Sequence, residues 1–121
     1  MAAIEPGDLA ITVHLPGWEA MATRHSALTI PHAAITHVSV SDGWPTGSFG
    51  LRHGGVVVSG VIKVGVWLDH DGARRLVSIR RGMPTLQVWC DAGQVEGFAL
   101  VMVGTHDAHT VAERLRKRIR G

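Results

Sequence analysis

Residues 60–80 read GVIKVGVWLDHDGARRLVSIR, and how its two halves pair decides the fold. Two apolar runs flank Asp71-Gly72, a dipeptide suited to a two-residue type I′ turn. Closed there, the hairpin sets Leu68 against Arg75, Val66 against Val77 and Val64 against Ile79 on one face. The other face carries Asp69 against Arg74, Trp67 against Leu76 and Lys63 against Arg80. Aliphatic pairs fall together and one opposite-charge pair forms, as sheet pairing favours. A slip of one residue would send each side chain of one strand to the other face. In this register the Val64, Val66, Val77 and Ile79 face is the expected interior. The Trp67/Leu76 face then needs a cover of its own, either another segment or a partner.

Upstream, residues 1–7 read as a loose lead-in ending at a Pro-Gly turn. Leu9, Ile11, Val13 and Leu15 then alternate with Ala10, Thr12 and His14, the period of a half-buried strand. Pro16-Gly17 bends it, and residues 18–22 are expected to continue the strand. A turn at 24–26 leads into a short strand at 28–30, which Pro31 edges because it offers no N–H to a ladder. Alternation resumes over 34–40. Residues 41–59 carry five glycines and a proline and form the least regular stretch, with 56–58 belonging to the next strand. Downstream of the hairpin, Leu86, Val88 and Cys90 alternate inward and residues 91–94 turn. Residues 98–103 are apolar on both faces, as in a strand covered on both sides. Val111, Leu115 and Ile119, with Ala108 and Ala112, mark the apolar stripe of a helix over 107–120. Asp107 is its expected N-cap and Thr105 the alternative. The expected fold is mainly β (α+β): about seven antiparallel strands and one C-terminal α-helix in a single domain, 1–121.

The 121 residues suffice for one core. Charge is unevenly placed. Residues 1–110 hold nine acids against seven Lys/Arg, whereas 111–121 hold Glu113 against five cations. The basic balance therefore comes from the last two turns of the helix, where cations complement the negative helix end. With a slightly acidic body, this run reads as a solvated helix terminus, which argues against nucleic acid and against a membrane. The start, MAAIEPGDL, lacks a basic signal and an apolar core, and the lone Cys90 has no internal disulfide partner. A cytoplasmic protein is expected.

Leu28-Thr29-Ile30-Pro31, followed by Ala34-Ile35-Thr36-His37-Val38, the hairpin, the apolar strand and the helix come in the order of a known plan. The chain resembles small bacterial proteins of the pleckstrin-homology (PH) superfold, over residues 8–120. The resemblance implies a bent, partly open barrel capped by the helix, and a tendency to form homo-oligomers. Lipid-binding PH domains place Lys and Arg around the first hairpin loop. Here that region offers only Arg24 and His25, so phosphoinositide binding is not expected.

Eight histidines invite a metal or acid–base reading, the tightest group being His106, Asp107 and His109 with His70-Asp71. Zinc needs three or four converging ligands, and a capping Asp107 would already be engaged, so no metal and no cofactor is expected. Cys90 shares the inward phase of Leu86 and Val88 and reads as a buried thiol. No nucleophile elbow or phosphate-cradling glycine loop is present, so a catalytic residue is not assigned. Aromatic residues beside arginine typify interaction hot spots, and the candidate surface is Trp44, Phe49, Arg52, His53, Trp67 and Trp89. The resulting expectation is a non-enzymatic PH-like binding or scaffold module with a protein partner, often a second copy. The alternatives are a small barrel holding an apolar or anionic ligand and, less supported, a histidine-based enzyme.

Overall fold

The computed structural model describes residues 2–42, 51–58, 61–68 and 71–119, with 51–58 described by backbone alone. Strands β1 (Ala3–Pro6), β2 (Ala10–His14) and β3 (Ala27–Pro31) form a small antiparallel sheet. Between β2 and β3 lies a short helix, α1 (Trp18–Thr23). Strands β4 (Ile35–Ser41), β5 (Leu51–Val58), β6 (Ile62–Leu68), β7 (Arg74–Arg80), β8 (Thr85–Cys90) and β9 (Phe98–Gly104) form a six-stranded sheet. Its order is β4-β8-β9-β7-β6-β5. Helix α2 (Ala108–Ile119) ends the described chain. The mainly β architecture with one helix at its C-terminal end agrees with the sequence. The strands number nine among the described residues, and β7 and β9 run parallel, so the expected seven-stranded, wholly antiparallel layout is not what forms.

Strands β6 and β7 pair as a hairpin, but one residue away from the expected register. Leu68 faces Arg74, Val66 faces Leu76, Val64 faces Ser78 and Ile62 faces Arg80. Five residues separate Leu68 from Arg74, an odd number that a two-residue turn cannot close in register. The shift puts Val64 and Val66 with Leu76 and Ser78, while Val77 and Ile79 join Trp67 on the other face. Periodicity could not decide this, because Leu76, Val77, Ser78 and Ile79 are all buried. A strand covered on both sides shows no alternation to fix its phase.

One face of the large sheet, through Val66, Leu76, Val88 and Val101, packs against Ile11, Val13, Leu28 and Ile30 of the small sheet and Leu115 of α2. Burial of a leucine such as Leu115, 2% exposed, contributes roughly 1.5–3 kcal/mol. The opposite face gathers Trp67, Val77, Ile79, Leu100 and Met102, with Trp89 beside them. Strand β9 is therefore buried on both sides, as its composition requires.

Three local expectations are corrected. Residues 3–6 are ordered as β1, with Ile4 opposite Val13, and Pro6 ends an edge strand where its missing N–H costs no bond. Residues 18–23 are helical rather than extended. Gly17 turns the chain at φ +55°, the strong helix formers Glu19, Ala20, Met21 and Ala22 follow, and Arg24 stops the helix at φ +63°. Within 41–59, a strand starts at Leu51, five residues earlier than read, with a bulge between Arg52 and Gly55 absorbing the paired glycines.

Strand β9 lies between β7 and β8, so the chain from Arg80 to Thr85 must arch over its end. Gly104 sits under that arch. A Cβ there would lie 3.3 Å from Arg80 N and 3.5 Å from Ile79 Cα. Thr105 N–H donates to Pro84 O at 3.0 Å, tying the arch to the segment that leads into α2.

Candidate functional site: a cationic groove beside α2

Residues 7–10 make a tight turn in which Gly7 N–H donates to Ala10 O at 2.9 Å. A Cβ on Gly7 would meet that oxygen at 2.8 Å, so the turn requires glycine. His32 N–H, entering a short 3-10 turn at His32–Ala34, donates to Leu9 O at 2.9 Å and fixes the tip. Helix α2 runs past this tip. Its start is set by Thr105, whose hydroxyl accepts from Asp107 N–H at 3.4 Å, while Asp107 O accepts from Val111 N–H at 2.9 Å. Asp107 thus stands at the N-cap position, as the sequence suggests, and the Thr105 hydroxyl holds the turn just before it.

Val111, Arg114, Leu115 and Arg118 are spaced i, i+3, i+4, i+7 and share one face of α2. That face and the turn enclose a groove of about 390 Å³, floored by Ile11, Val111 and Leu115 and bordered by His32, Arg114, Lys117 and Arg118. A second hollow of about 420 Å³ adjoins it across His32 and Arg118 and is lined also by Leu9, Ile35 and Ile119. Arg118 is held at the junction. Its Nη1 donates to Asp8 O at 2.7 Å, and its Nη2 lies 3.9 Å from the fully exposed Asp8 carboxylate. Among the described residues, no carboxylate lies within ion-pair distance of Arg114 or Lys117. Three cations outweigh both Asp8 and the partial negative charge of the helix end, so the groove attracts anions. Its volume falls in the range of small-molecule sites.

A second cluster is inside. Glu19, fully buried on α1, accepts from Ser78 Oγ at 2.6 Å and has Arg80 Nη2 at 3.7 Å from its other oxygen. The Arg80 guanidinium also lies 5.8 Å from the centre of the Trp18 ring. These contacts clamp α1 to β7. Cys90 is buried, its thiol donating to Phe98 O at 3.2 Å. Burial, and secondarily the neighbouring Asp91 charge, raises its pKa from 9.0 to about 11, so it is no thiolate nucleophile at neutral pH.

Of the expected interaction residues, Trp67 and Trp89 meet in one apolar cluster, on the sheet that Arg52 joins. Trp67 is 6% exposed, closed off within a single chain. Trp89 is half-buried, tilted against His37 at 5.2 Å between ring centres. Arg52 and His53 lie on β5, Arg52 opposite Trp67 in the ladder, and Trp44 and Phe49 lie outside the described residues. His109 Nε2 pairs with Asp42 Oδ1 at 2.5 Å, pinning the start of α2 to the end of β4. His106 is exposed, His70 lies outside the described residues, and among those described no three metal-ligating side chains gather. The groove escaped sequence reading because the basic run was weighed by net charge. Its signal was positional: Arg114 and Arg118 occupy the stripe of Val111 and Leu115. The chain matches no protein-family model, no curated protein and no solved structure.

Proposed function

We propose that this chain is a non-enzymatic binding module whose groove beside α2 takes a small anionic molecule with an apolar part. One observation carries the reading: Arg114 and Lys117, without ion-pair partners among the described residues, border a floor of buried Ile11 and Leu115. Cations at the rim favour a carboxylate or phosphate, and the aliphatic floor favours hydrocarbon. The thiol of Cys90 is buried and protonated, which supports a binding role over nucleophilic chemistry. In this reading the chain is a variant of the PH-like plan, with the terminal helix packed on the sheet and one strand inserted between two others. Self-association through Trp67 has less support, since that indole is sealed within one chain.

Calorimetric titration with decanoate, decyl phosphate and decanol, each below its micelle concentration, tests the reading. Both anions are expected to bind, with decanol weaker. Converting Arg114 and Lys117 to alanine should weaken the anions by on the order of tenfold per cation lost, the worth of a charge-assisted contact. Equal affinity for decanol and decanoate, or no change in the double variant, would sink the proposal.

A further inference from the structure

Leu9 is 84% exposed at the tip of the 7–10 turn, although it belongs to the alternating pattern of β2. Its backbone is not free to retract, because the hydrogen bonds Gly7 N–H to Ala10 O and His32 N–H to Leu9 O hold it on both sides. A large aliphatic side chain is therefore kept proud of the surface by a stiff support. Ile119, 36% exposed, borders the same hollow from α2, as does Arg118. Arg114 and Lys117 complete a cationic border at this end of the molecule. Asp8 is the sole carboxylate among the residues lining the two hollows, and Arg118 engages it.

From this arrangement we infer that the α2 end of the molecule docks on an anionic phospholipid bilayer, which presents the groove with its ligand. The inference rests on the reading of the groove as a site for anionic amphiphiles and adds where the amphiphile comes from. Leu9 and Ile119 enter the acyl boundary, while Arg114, Lys117 and Arg118 meet the lipid phosphates. Shallow apolar insertion beside cations is the energetic basis of peripheral membrane contact. Net charge had set the basic run aside because the body of the chain is slightly acidic. Around the groove, however, the three cations face a single carboxylate. Charge complementarity selects an anionic bilayer over a zwitterionic one.

Flotation of the full chain with phosphatidylcholine vesicles, with and without phosphatidylglycerol, tests this. The chain is expected to float with the anionic vesicles alone and to be partly released by added salt. Lys117→Glu should lower the partition coefficient by at least about fivefold, the value of one cation near a charged surface. Leu9→Ser should lower it severalfold without moving the thermal midpoint, since the side chain is already in water. Absence of flotation with anionic vesicles, or flotation indifferent to Leu9→Ser and Lys117→Glu, would overturn the inference. A chain that binds decanoate in solution yet stays unfloated would remove the membrane contact and leave the groove reading standing. Loss of both signals would end both.

Discussion

Glu19 holds a carboxylate with no exposed surface, 2.6 Å from Ser78 Oγ and 3.7 Å from Arg80 Nη2. Removing one member of a buried pair leaves the other uncompensated, at a typical cost of about 3–5 kcal/mol. The Arg80 side chain retains 24% of its exposure and can reach water. Glu19→Ala is therefore expected near ~2–3 kcal/mol, below that range. Glu19→Gln keeps an acceptor for Ser78 and should cost less. Urea unfolding midpoints at unchanged m-value would measure both, and an unaltered midpoint in Glu19→Ala would refute the clamp. Nothing in the local sequence marks Glu19 as buried. Its partners lie 59 and 61 positions away, on a strand whose phase the sequence reading set one residue off. Leu9 fails in the opposite sense: alternation assigns it inward, and the turn that Gly7 makes carries it out.

At the level of elements, periodicity found what local chemistry controls. β2, β4, β8 and α2 stand where alternation or the four-residue stripe put them, and β3 and β9 where Pro31 and an unbroken apolar run did. The six-residue α1 is under two turns, too short for a helical period to emerge from the preceding strand pattern. The hairpin existed as read, but its register depended on a connection longer than two residues and on burial of both faces of β7. Gly104 offers a test at this scale. Because a Cβ there would press on Arg80 N and Ile79 Cα, Gly104→Val should force the end of β9 away from the β7–β8 arch. The expected cost is about 1–3 kcal/mol, as for overpacking elsewhere, with Gly104→Ala milder. Thermal unfolding of the two variants gives the order, and equal stability of Gly104→Val and the parent would mean that the arch yields freely.

For the molecule as a whole, stability should depend on alkaline pH through Cys90. Its folded pKa, about 11, lies above the unfolded value of 9.0, so the native state keeps a proton that the unfolded chain releases. Below pH 9 this contributes no slope. Between about 9 and about 11 unfolding becomes easier, by an upper bound of roughly 2.7 kcal/mol. The chain contains no tyrosine to titrate in that window. Cys90→Ala should flatten the fall in unfolding free energy measured across it, and an equal slope in both proteins would assign the effect elsewhere. The order β4-β8-β9-β7-β6-β5 was beyond sequence reading, since period and turn chemistry report neighbours in the chain and β9 joins strands that are not. The groove shares that limit, being assembled from residues about a hundred positions apart. The same insertion bears on how a ribosome delivers this chain. β9 alone joins β4–β8 to β7–β6–β5, yet it is translated after all of them. At ~5–20 residues per second, the strands on the two sides of β9 cannot be joined into one sheet until residue 104 has emerged. The sheet can close only after nearly all of the described chain has been made.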